Sequence, residues 1–146
     1  MRSGRKTVFF MNWYLKVLRQ YADFSGRARR KEFWIFSLFN FIFLNLAMIL
    51  DNVLGITFEF TRQMGITFQI YELILNYGWF YLIYCLAIII PGLAVGVRRL
   101  HDIGKSGWNC LIGLIPFFGW IILLVWFCKD SQAGKNKWGS NPKTMI

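Results

Sequence analysis

Three long runs without a charged residue most constrain what this chain can fold into. They cover residues 33–50, 73–97 and 108–128. Each is long enough to cross the apolar core of a bilayer as a helix that rises about 1.5 Å per residue. A polar stretch, VRRLHDIGKSGW at residues 97–108, separates the second run from the third. We expect this stretch at a membrane surface, because one unpaired Arg or Lys at the bilayer centre costs roughly 2.5 to 3.5 kcal/mol or more.

The composition supports a membrane protein. The 146 residues are 56% hydrophobic and 19% aromatic, which is too apolar for a soluble domain of this size. We predict an all-α membrane protein, a small transmembrane helical bundle that forms one integral-membrane domain over residues 11–142, followed by a short tail at 143–146. The net charge of +10 is confined to blocks between the apolar runs. That pattern suits anionic headgroups and not nucleic acid, since little soluble scaffold remains.

The cysteines give no indication of a metal site or a disulfide framework. Cys85, Cys110 and Cys128 all lie inside apolar runs, without the CxxC or Cys/His spacing of zinc ligands. We therefore expect no metal and no cofactor. The basic first residues are not followed by a small-residue cleavage site, so they are expected to remain on the mature chain.

An amphipathic helix is predicted before the first run. From Phe10 to Phe24 the apolar residues recur at intervals of three and four, with polar residues on the other face. Two placements remain open: an interfacial helix lying in the membrane plane, and a helix packed on the protein's own cytoplasmic face. Ser25 is predicted to cap the next helix, with Gly26 as a pivot and Arg27 as its first residue.

The cations at the start of that next helix require a compensating negative charge, because they oppose the helix dipole. The alternatives are Glu32 and Asp23 nearby, Asp102 from the later polar stretch, and lipid phosphates.

The first two apolar runs carry features of helix packing. Asn40 and Asn45 interrupt the first, and such amides usually bond to a neighbouring helix. Pro91 is expected to kink the second run because it removes a backbone donor. Gly92 and Gly96 form a GxxxG step that would let another helix approach closely.

The charge pattern leaves the topology of the third run open. Residues 51–72 are net acidic and predict an external loop, with a weak signal for a hairpin at 56–70. The basic N-terminal block and residues 98–107 are predicted to be cytoplasmic. Three full spans would then leave the basic tail outside. The alternative, which we slightly favour, is a re-entrant turn around Pro116 and Gly119 that returns the tail to the cytoplasm and that must be buried in protein.

Five ordered motifs carry a resemblance to a known family. They are MNWYLKVL, FSGRARRKEFW, VRRLHDIGKSGW, LIPFFGW and GKNKWGSNP. Together they resemble the domain-of-unknown-function family 805, small bacterial inner-membrane proteins, from Met11 to Pro142. The resemblance implies that residues 1–10 are an extension, and it implies almost nothing about activity.

The resemblance also places the family's motif positions on this chain. In the first two polar stretches they fall on Gly26, Arg27, Arg30, Trp34, Arg98, Arg99, His101, Asp102, Gly104, Ser106, Gly107 and Trp108. In the tail they fall on Gly134, Asn136, Gly139, Asn141 and Pro142.

The motifs of catalysis are absent from the polar stretch. GKS at residues 104–106 is not a phosphate loop, because Arg99 stands where that pattern needs its first glycine. His101 and Asp102 are adjacent, and adjacent helical residues do not face each other. The sequence places no nucleophile beside them, so we expect a non-enzymatic protein.

The basic cluster predicts binding. We expect it at one cytoplasmic surface, where Arg forks bind phosphate or carboxylate at two points. The candidate binding residues are Arg27, Arg30, Arg98, Arg99, His101, Asp102 and Lys105. The candidate structural residues are Gly26, Trp34, Pro91, Gly92, Gly96, Gly104, Gly107, Trp108, Pro116 and Gly119.

Two functional hypotheses follow. The first is a binding or scaffold module in the bacterial inner (plasma) membrane, multi-pass with a cytoplasmic N-terminus, whose cluster engages anionic lipid headgroups or a partner protein. The second is a subunit of an oligomeric transporter or channel, suggested by Asn40, Asn45, Pro91 and the interrupted third run. A homo-oligomer is required by the second hypothesis, because three spans cannot enclose a path alone.

Overall fold

The computed structural model describes residues 3–57 and 77–144, with side chains from residue 10 onward. Over these residues the protein is helical, with two isolated bridges and no β-strand. The elements in chain order are α1 (Ser3–Arg19), α2 (Arg30–Leu54), α3 (Trp79–Asp102), a 3-10 helix (Gly107–Leu114) and α4 (Phe118–Cys128). The all-α prediction is confirmed. Most of the weakly signalled hairpin at 56–70, and residues 73–76 of the second run, lie outside the described residues.

Two helices have the length and composition of membrane spans. In α2 and α3, only 17% and 22% of the most apolar 18-residue window is buried inside the protein. The core helix of a soluble protein would be mostly covered by its own chain, so the exposed apolar sides of α2 and α3 need lipid. The predicted spans at 33–50 and 73–97 thus correspond to α2 and to α3, each of which extends further towards the C-terminus.

The contacts divide the chain into two compact units. The terminal unit comprises Met1–Leu38 and Ile90–Ile146, and the middle unit comprises Phe39–Ile89. In the terminal unit α1 packs on the chain itself, because Val17 is fully buried and the Tyr14 ring stacks on Phe36 with centroids 5.5 Å apart. Of the two predicted placements of the amphipathic helix, the structure therefore shows the one packed against the protein itself. Contact of its other face with lipid stays a prediction.

The connection between α1 and α2 differs from the prediction. The amphipathic helix ends at Arg19, earlier than expected, and α2 begins at Arg30 and not at Arg27. Ser25 is not the cap of α2, because both its N–H and its hydroxyl donate to the Asp23 carboxylate. Gly26 has a φ of +78°, a conformation that suits glycine. The Asx-type turn at Asp23 therefore belongs to the irregular linker between α1 and α2.

Helix α3 ends in a Schellman motif. Gly104 has a φ of +80°, and its N–H donates to His101 O at 3.1 Å. The next N–H, of Lys105, donates to Leu100 O at 2.9 Å. These two bonds satisfy carbonyls that the helix end leaves open and reverse the chain direction. Gly104, one of the candidate structural residues, is therefore a glycine C-cap.

The third apolar run folds as a hairpin of two short helices. The 3-10 helix and α4 lie against each other, and the Trp120 indole N–H donates to Gly113 O at 2.9 Å. A Cβ at Gly119 would overlap the carbonyl oxygen of Ile112, so only glycine permits this approach. The turn between the helices contains Phe117, with a φ of +62°.

Both ends of this hairpin lie at the C-terminal end of α3. At its start, a Cβ on Gly107 would lie 2.7 Å from a Val97 methyl group. At its end, the Phe127 carbonyl accepts hydrogen bonds from Arg99. At about 1.5 Å per residue, α4 is only about 16 Å long, too short to cross a bilayer. The run is thus not one continuous helix, and its position in the membrane stays a prediction.

The two glycines of the GxxxG step have different surroundings. A Cβ on Gly96 would lie 4.0 Å from Cys110 Sγ of the 3-10 helix, whereas Gly92 has open space. A side chain at Gly96 would thus be in ordinary van der Waals contact with the 3-10 helix, and the close approach of another helix at the GxxxG step stays a prediction. Pro91 is fully buried inside α3, which continues through it from Trp79 to Asp102.

The middle unit is held by a buried carboxylate. Asp51, near the C-terminal end of α2, accepts the backbone N–H of Phe80 at 3.0 Å and that of Tyr81 at 2.9 Å. Because the first N–H groups of a helix have no partner within it, Asp51 caps α3 from outside. The carboxylate is fully buried, and Gly78 leaves room for it, since a Cβ there would collide with Asp51.

The two amides of the first run behave differently. Asn40 accepts a hydrogen bond from the Tyr84 hydroxyl at 2.7 Å, which ties α2 to α3 as expected. Asn45 donates to Phe41 O of its own helix at 2.7 Å. The prediction of a bond to a neighbouring helix is therefore wrong for this amide N–H of Asn45, because the carbonyl one turn earlier is within reach.

Replacing Asp51 by Ala should lower the free energy of unfolding by about 1–3 kcal/mol, since it leaves two N–H groups unsatisfied. Asp51→Asn keeps one acceptor and should lose less. The measurement is thermal unfolding of the detergent-purified protein. An unchanged midpoint for Asp51→Ala would show that the cap does not contribute.

Candidate functional site

A buried carboxylate joins three separate parts of the terminal unit. Asp102, at the end of α3, is fully buried and pairs with two arginines: Arg27 Nε lies 3.0 Å from Oδ1, and Arg99 Nη1 lies 2.7 Å from Oδ2. The Ser131 hydroxyl donates to Oδ2 at 2.6 Å. We call Arg27, Arg99 and Asp102 the Asp102 cluster. Every charge in it is buried, so its stability depends on complete hydrogen bonding.

Arg27 completes its hydrogen bonds on the backbone of the C-terminal tail. Nη2 donates to Gln132 O at 2.6 Å, and Nη1 donates to Gly134 O at 2.8 Å and to Gly139 O at 3.2 Å. Only the fork of a guanidinium presents donors in these directions at once. Arg27 therefore holds the tail in place.

Arg99 completes its hydrogen bonds at the end of α4. It donates to the carbonyls of Phe127 and Lys129, which have no partner in the last turn of a helix. A cation also interacts favourably with the negative end of the helix dipole. Arg99 thus fixes the returning end of the hairpin beside α3.

A second buried ion cluster connects α1, α2 and α3. Glu32, fully buried, lies 2.7 Å from Lys16 Nζ and 3.3 Å from Arg98 Nη1. Arg98 also donates to the Gln20 side chain. We call Lys16, Glu32 and Arg98 the Glu32 cluster. Of the alternatives for compensating the cations near α2, Glu32 and Asp102 both carry ion pairs in the structure.

His101 is packed between the linker and the tail. Its Nδ1 lies 3.2 Å from Gly26 O, which can only accept, so Nδ1 carries the proton. The imidazole stacks on the Trp138 indole with centroids 4.5 Å apart. Asn136 donates to His101 O at 2.9 Å. These contacts give His101 a role in packing the tail, and no nucleophilic side chain among the described residues forms a hydrogen bond with it.

The structure gathers most of the predicted binding residues, but it buries them. Arg27, Arg98, Arg99, His101 and Asp102 are all less than 10% exposed. They contact groups of the chain itself, so these guanidinium forks do not point to solvent.

The remaining two predicted binding residues are more accessible. The Arg30 side chain is 45% exposed, and its Nη2 lies 3.5 Å from Asp130 Oδ1. Lys105 is half-buried, with its ammonium 4.2 Å from the centroid of a Trp126 ring. They lie at the edge of the buried clusters and not within them.

Several residues of the site were not recognised as such from the sequence. Glu32 was one alternative among four, and Lys16, Gln20, Ser131 and Trp138 had no assigned role. The sequence did contain a signal for Glu32, because a single acid within a block of cations indicates an ion pair with some of them. The tail acceptors had no such signal, because they are backbone carbonyls and do not depend on residue type.

The tail is held at its exposed edge by Asp130. Hydrogen bonds from Lys143, and then from the Ser131 backbone N–H, lower the pKa of the Asp130 carboxyl from its usual 3.8. A lowered pKa means that the contact stabilises the folded state fully above the ordinary value. The contribution disappears as the pH falls below it. The Asp130 contact is therefore intact at neutral pH.

Comparisons with known proteins agree with the resemblance. The family described as "Protein of unknown function (DUF805)" matches residues 21–140. The chain belongs to this family.

Two relatives of this DUF805 chain are Escherichia coli K12 proteins. Inner membrane protein YhaI is 38% identical over 133 residues, which is 91% of this chain and 97% of the relative. Inner membrane protein YhaH is 41% identical over 133 residues, 91% of this chain and 98% of the relative. No solved structure matches the chain. The family match, the inner-membrane relatives and the two apolar helices together establish an integral membrane protein of DUF805.

Asp102→Asn should destabilise the DUF805 chain severely, by about 3–5 kcal/mol, because it leaves Arg27 and Arg99 buried without a counter-charge. The matched control is Asp130→Asn, which removes an exposed acid and should destabilise the protein far less, because exposed ion pairs contribute little to stability. Thermal unfolding in detergent and limited proteolysis of the tail measure both. Equal effects of the two substitutions would contradict the central role of Asp102.

Proposed function

We propose that this chain is a non-enzymatic protein of the bacterial inner membrane whose terminal unit engages anionic lipid headgroups. The observation that carries the proposal is the sorting of charge between the inside and the surface of that unit. Among its described acids, Glu32 and Asp102 are buried, Asp23 is half-buried and only Asp130 is exposed. The exposed cations are Arg19, Arg30, Lys31, Lys129, Lys135, Lys137 and Lys143.

A surface of this kind attracts anionic lipid. Each Lys or Arg near an anionic membrane surface contributes about 1 kcal/mol of attraction at physiological ionic strength. The buried arginines serve this surface indirectly. Arg27 and Arg99 hold the tail and the end of α4, which carry Lys129, Lys135 and Lys137. The clusters are therefore the scaffold of the proposed contact, and the exposed cations are its headgroup-facing part.

The proposed topology places both described ends of the chain in the cytoplasm. Helices α2 and α3 cross the membrane, while the hairpin enters one leaflet and returns. The hairpin tip supports this position, since Leu114, Phe117 and Phe118 are each at least 75% exposed and apolar. Backbone hydrogen bonds within the turn, such as Phe118 N–H to Pro116 O at 2.8 Å, reduce the cost of placing irregular backbone in lipid.

Cysteine labelling tests the topology. In a variant whose three native cysteines are replaced by Ala, single cysteines at Lys135 and at Met11 should both react with an impermeant maleimide only from the cytoplasmic side. Cytoplasmic labelling of Met11 together with external labelling of Lys135 would show that the third run crosses the membrane.

Lipid selectivity tests the function. In mixed micelles of phosphatidylglycerol and phosphatidylethanolamine, the purified protein should retain phosphatidylglycerol preferentially. Replacing Lys31, Lys129 and Lys137 by Gln should reduce this enrichment several-fold, because the attraction is additive and screened by salt. Asp130→Asn removes an exposed negative charge, so as an opposite control it should increase the enrichment of phosphatidylglycerol. An unchanged lipid ratio in the triple variant would refute headgroup binding.

The transporter hypothesis has less support. Its polar residues within the membrane have structural partners, since Asn40 bonds with Tyr84 and Asn45 with its own helix. The interrupted third run remains compatible with it. A transporter of this size requires an oligomer, so a protein that stays monomeric in detergent at all concentrations would exclude it.

A further inference from the structure

A groove in the terminal unit combines two cations with an apolar wall. It has a volume of about 690 Å³, within the range of ligand sites in proteins. Arg30 and Lys31 line one part of it, and the ring of Trp34 and the side chain of Leu38 line another. Cys128, at the end of α4, also lines the groove.

The order of these residues along α2 gives the groove a polar end and an apolar end. Residues 30, 34 and 38 follow one another at intervals of four, so they lie along one face of the helix. From Arg30 to Leu38 the helix rises about 12 Å. Leu38 is 57% exposed and Trp34 is 40% exposed, so the apolar wall is not covered by the chain itself. A ligand with a charged head and a long apolar part fits this arrangement.

The two cations differ in how they are held. Arg30 Nη1 donates to Cys128 O at 3.2 Å, and its Nη2 lies 3.5 Å from Asp130 Oδ1. These contacts fix the guanidinium beside the groove and leave its remaining donors available. Lys31 is exposed, and the described part of the chain offers it neither a hydrogen bond nor an ion pair. A fixed fork beside an unpaired ammonium is suited to a phosphate group.

We propose that this groove binds one anionic phospholipid, with its phosphate at Arg30 and Lys31 and an acyl chain along Trp34 and Leu38. The inference rests on the proposed function and assigns it a specific site. The complementary charge favours an anionic lipid over a zwitterionic one. The apolar wall favours a lipid over a free phosphate, because water-soluble phosphate leaves Trp34 and Leu38 uncovered.

The free thiol in the groove allows a direct test. In the full chain with Cys85→Ala and Cys110→Ala, Cys128 becomes the one thiol, and its reaction rate with an uncharged maleimide reports on occupation of the groove. In phosphatidylcholine nanodiscs, adding phosphatidylglycerol should slow the reaction several-fold. Glycerophosphate in solution should not slow it.

Lys31→Gln should abolish this protection while leaving the fold intact, because Lys31 is exposed and unpaired. Lys135→Gln is the matched control: it makes the same charge change on the tail, outside the groove, and should keep the protection. Equal protection by phosphatidylglycerol in wild type and Lys31→Gln, or equal protection by phosphatidylcholine alone, would overturn the site. Protection by glycerophosphate would show a phosphate site without lipid selectivity and would overturn it as well.

The two experiments distinguish a failure of the groove proposal from a failure of the proposed function. If phosphatidylglycerol fails to protect Cys128 while the lipid enrichment in micelles persists, the groove is wrong and the general headgroup contact stands. Loss of both protection and enrichment would refute both.

Discussion

The buried carboxylate of Asp102 is the interaction on which the terminal unit depends. Removing two guanidinium groups and a carboxylate from water is unfavourable, and it is compensated only where nearly every donor and acceptor has a partner. Here the partners come from distant parts of the sequence. Arg27 comes from the linker before α2, Arg99 from α3, and the acceptors from the end of α4 and the tail. One charge therefore fixes the relative positions of segments that share no continuous helix.

The hairpin is a second consequence of the same cluster. An apolar run of this length would ordinarily be expected to cross the bilayer once. Three local features allow it to fold back: the missing N–H of Pro116, the absent side chain of Gly119 and the Trp120 bond to Gly113. The return is completed by Arg99, which binds the last carbonyls of α4. Pro116 and Gly119 thus allow the chain to turn, and Arg99 holds the returning end of the hairpin beside α3.

The sequence predicted the helices better than the site. Charge-free runs and a helical period specify α1, α2 and α3 to within several residues, because burial and hydrogen bonding in lipid leave few alternatives to helix. The Ser25 cap failed because Asp23, two residues earlier, competes for the same hydroxyl and N–H. Such competition depends on local backbone geometry, which a propensity scale does not contain.

The inward direction of the arginines could not be predicted for a related reason. A basic block before an apolar run indicates a membrane surface, and it does not reveal whether a given guanidinium faces lipid or protein. What separates the two cases is the supply of acceptors, and most acceptors of Arg27 and Arg99 are backbone carbonyls without a sequence signature. The motif positions that the family resemblance places on this chain include the buried Arg27, Arg99 and Asp102, and they also include the exposed Arg30 and Trp34. The motif positions therefore cover both the buried Asp102 cluster and part of its exposed edge.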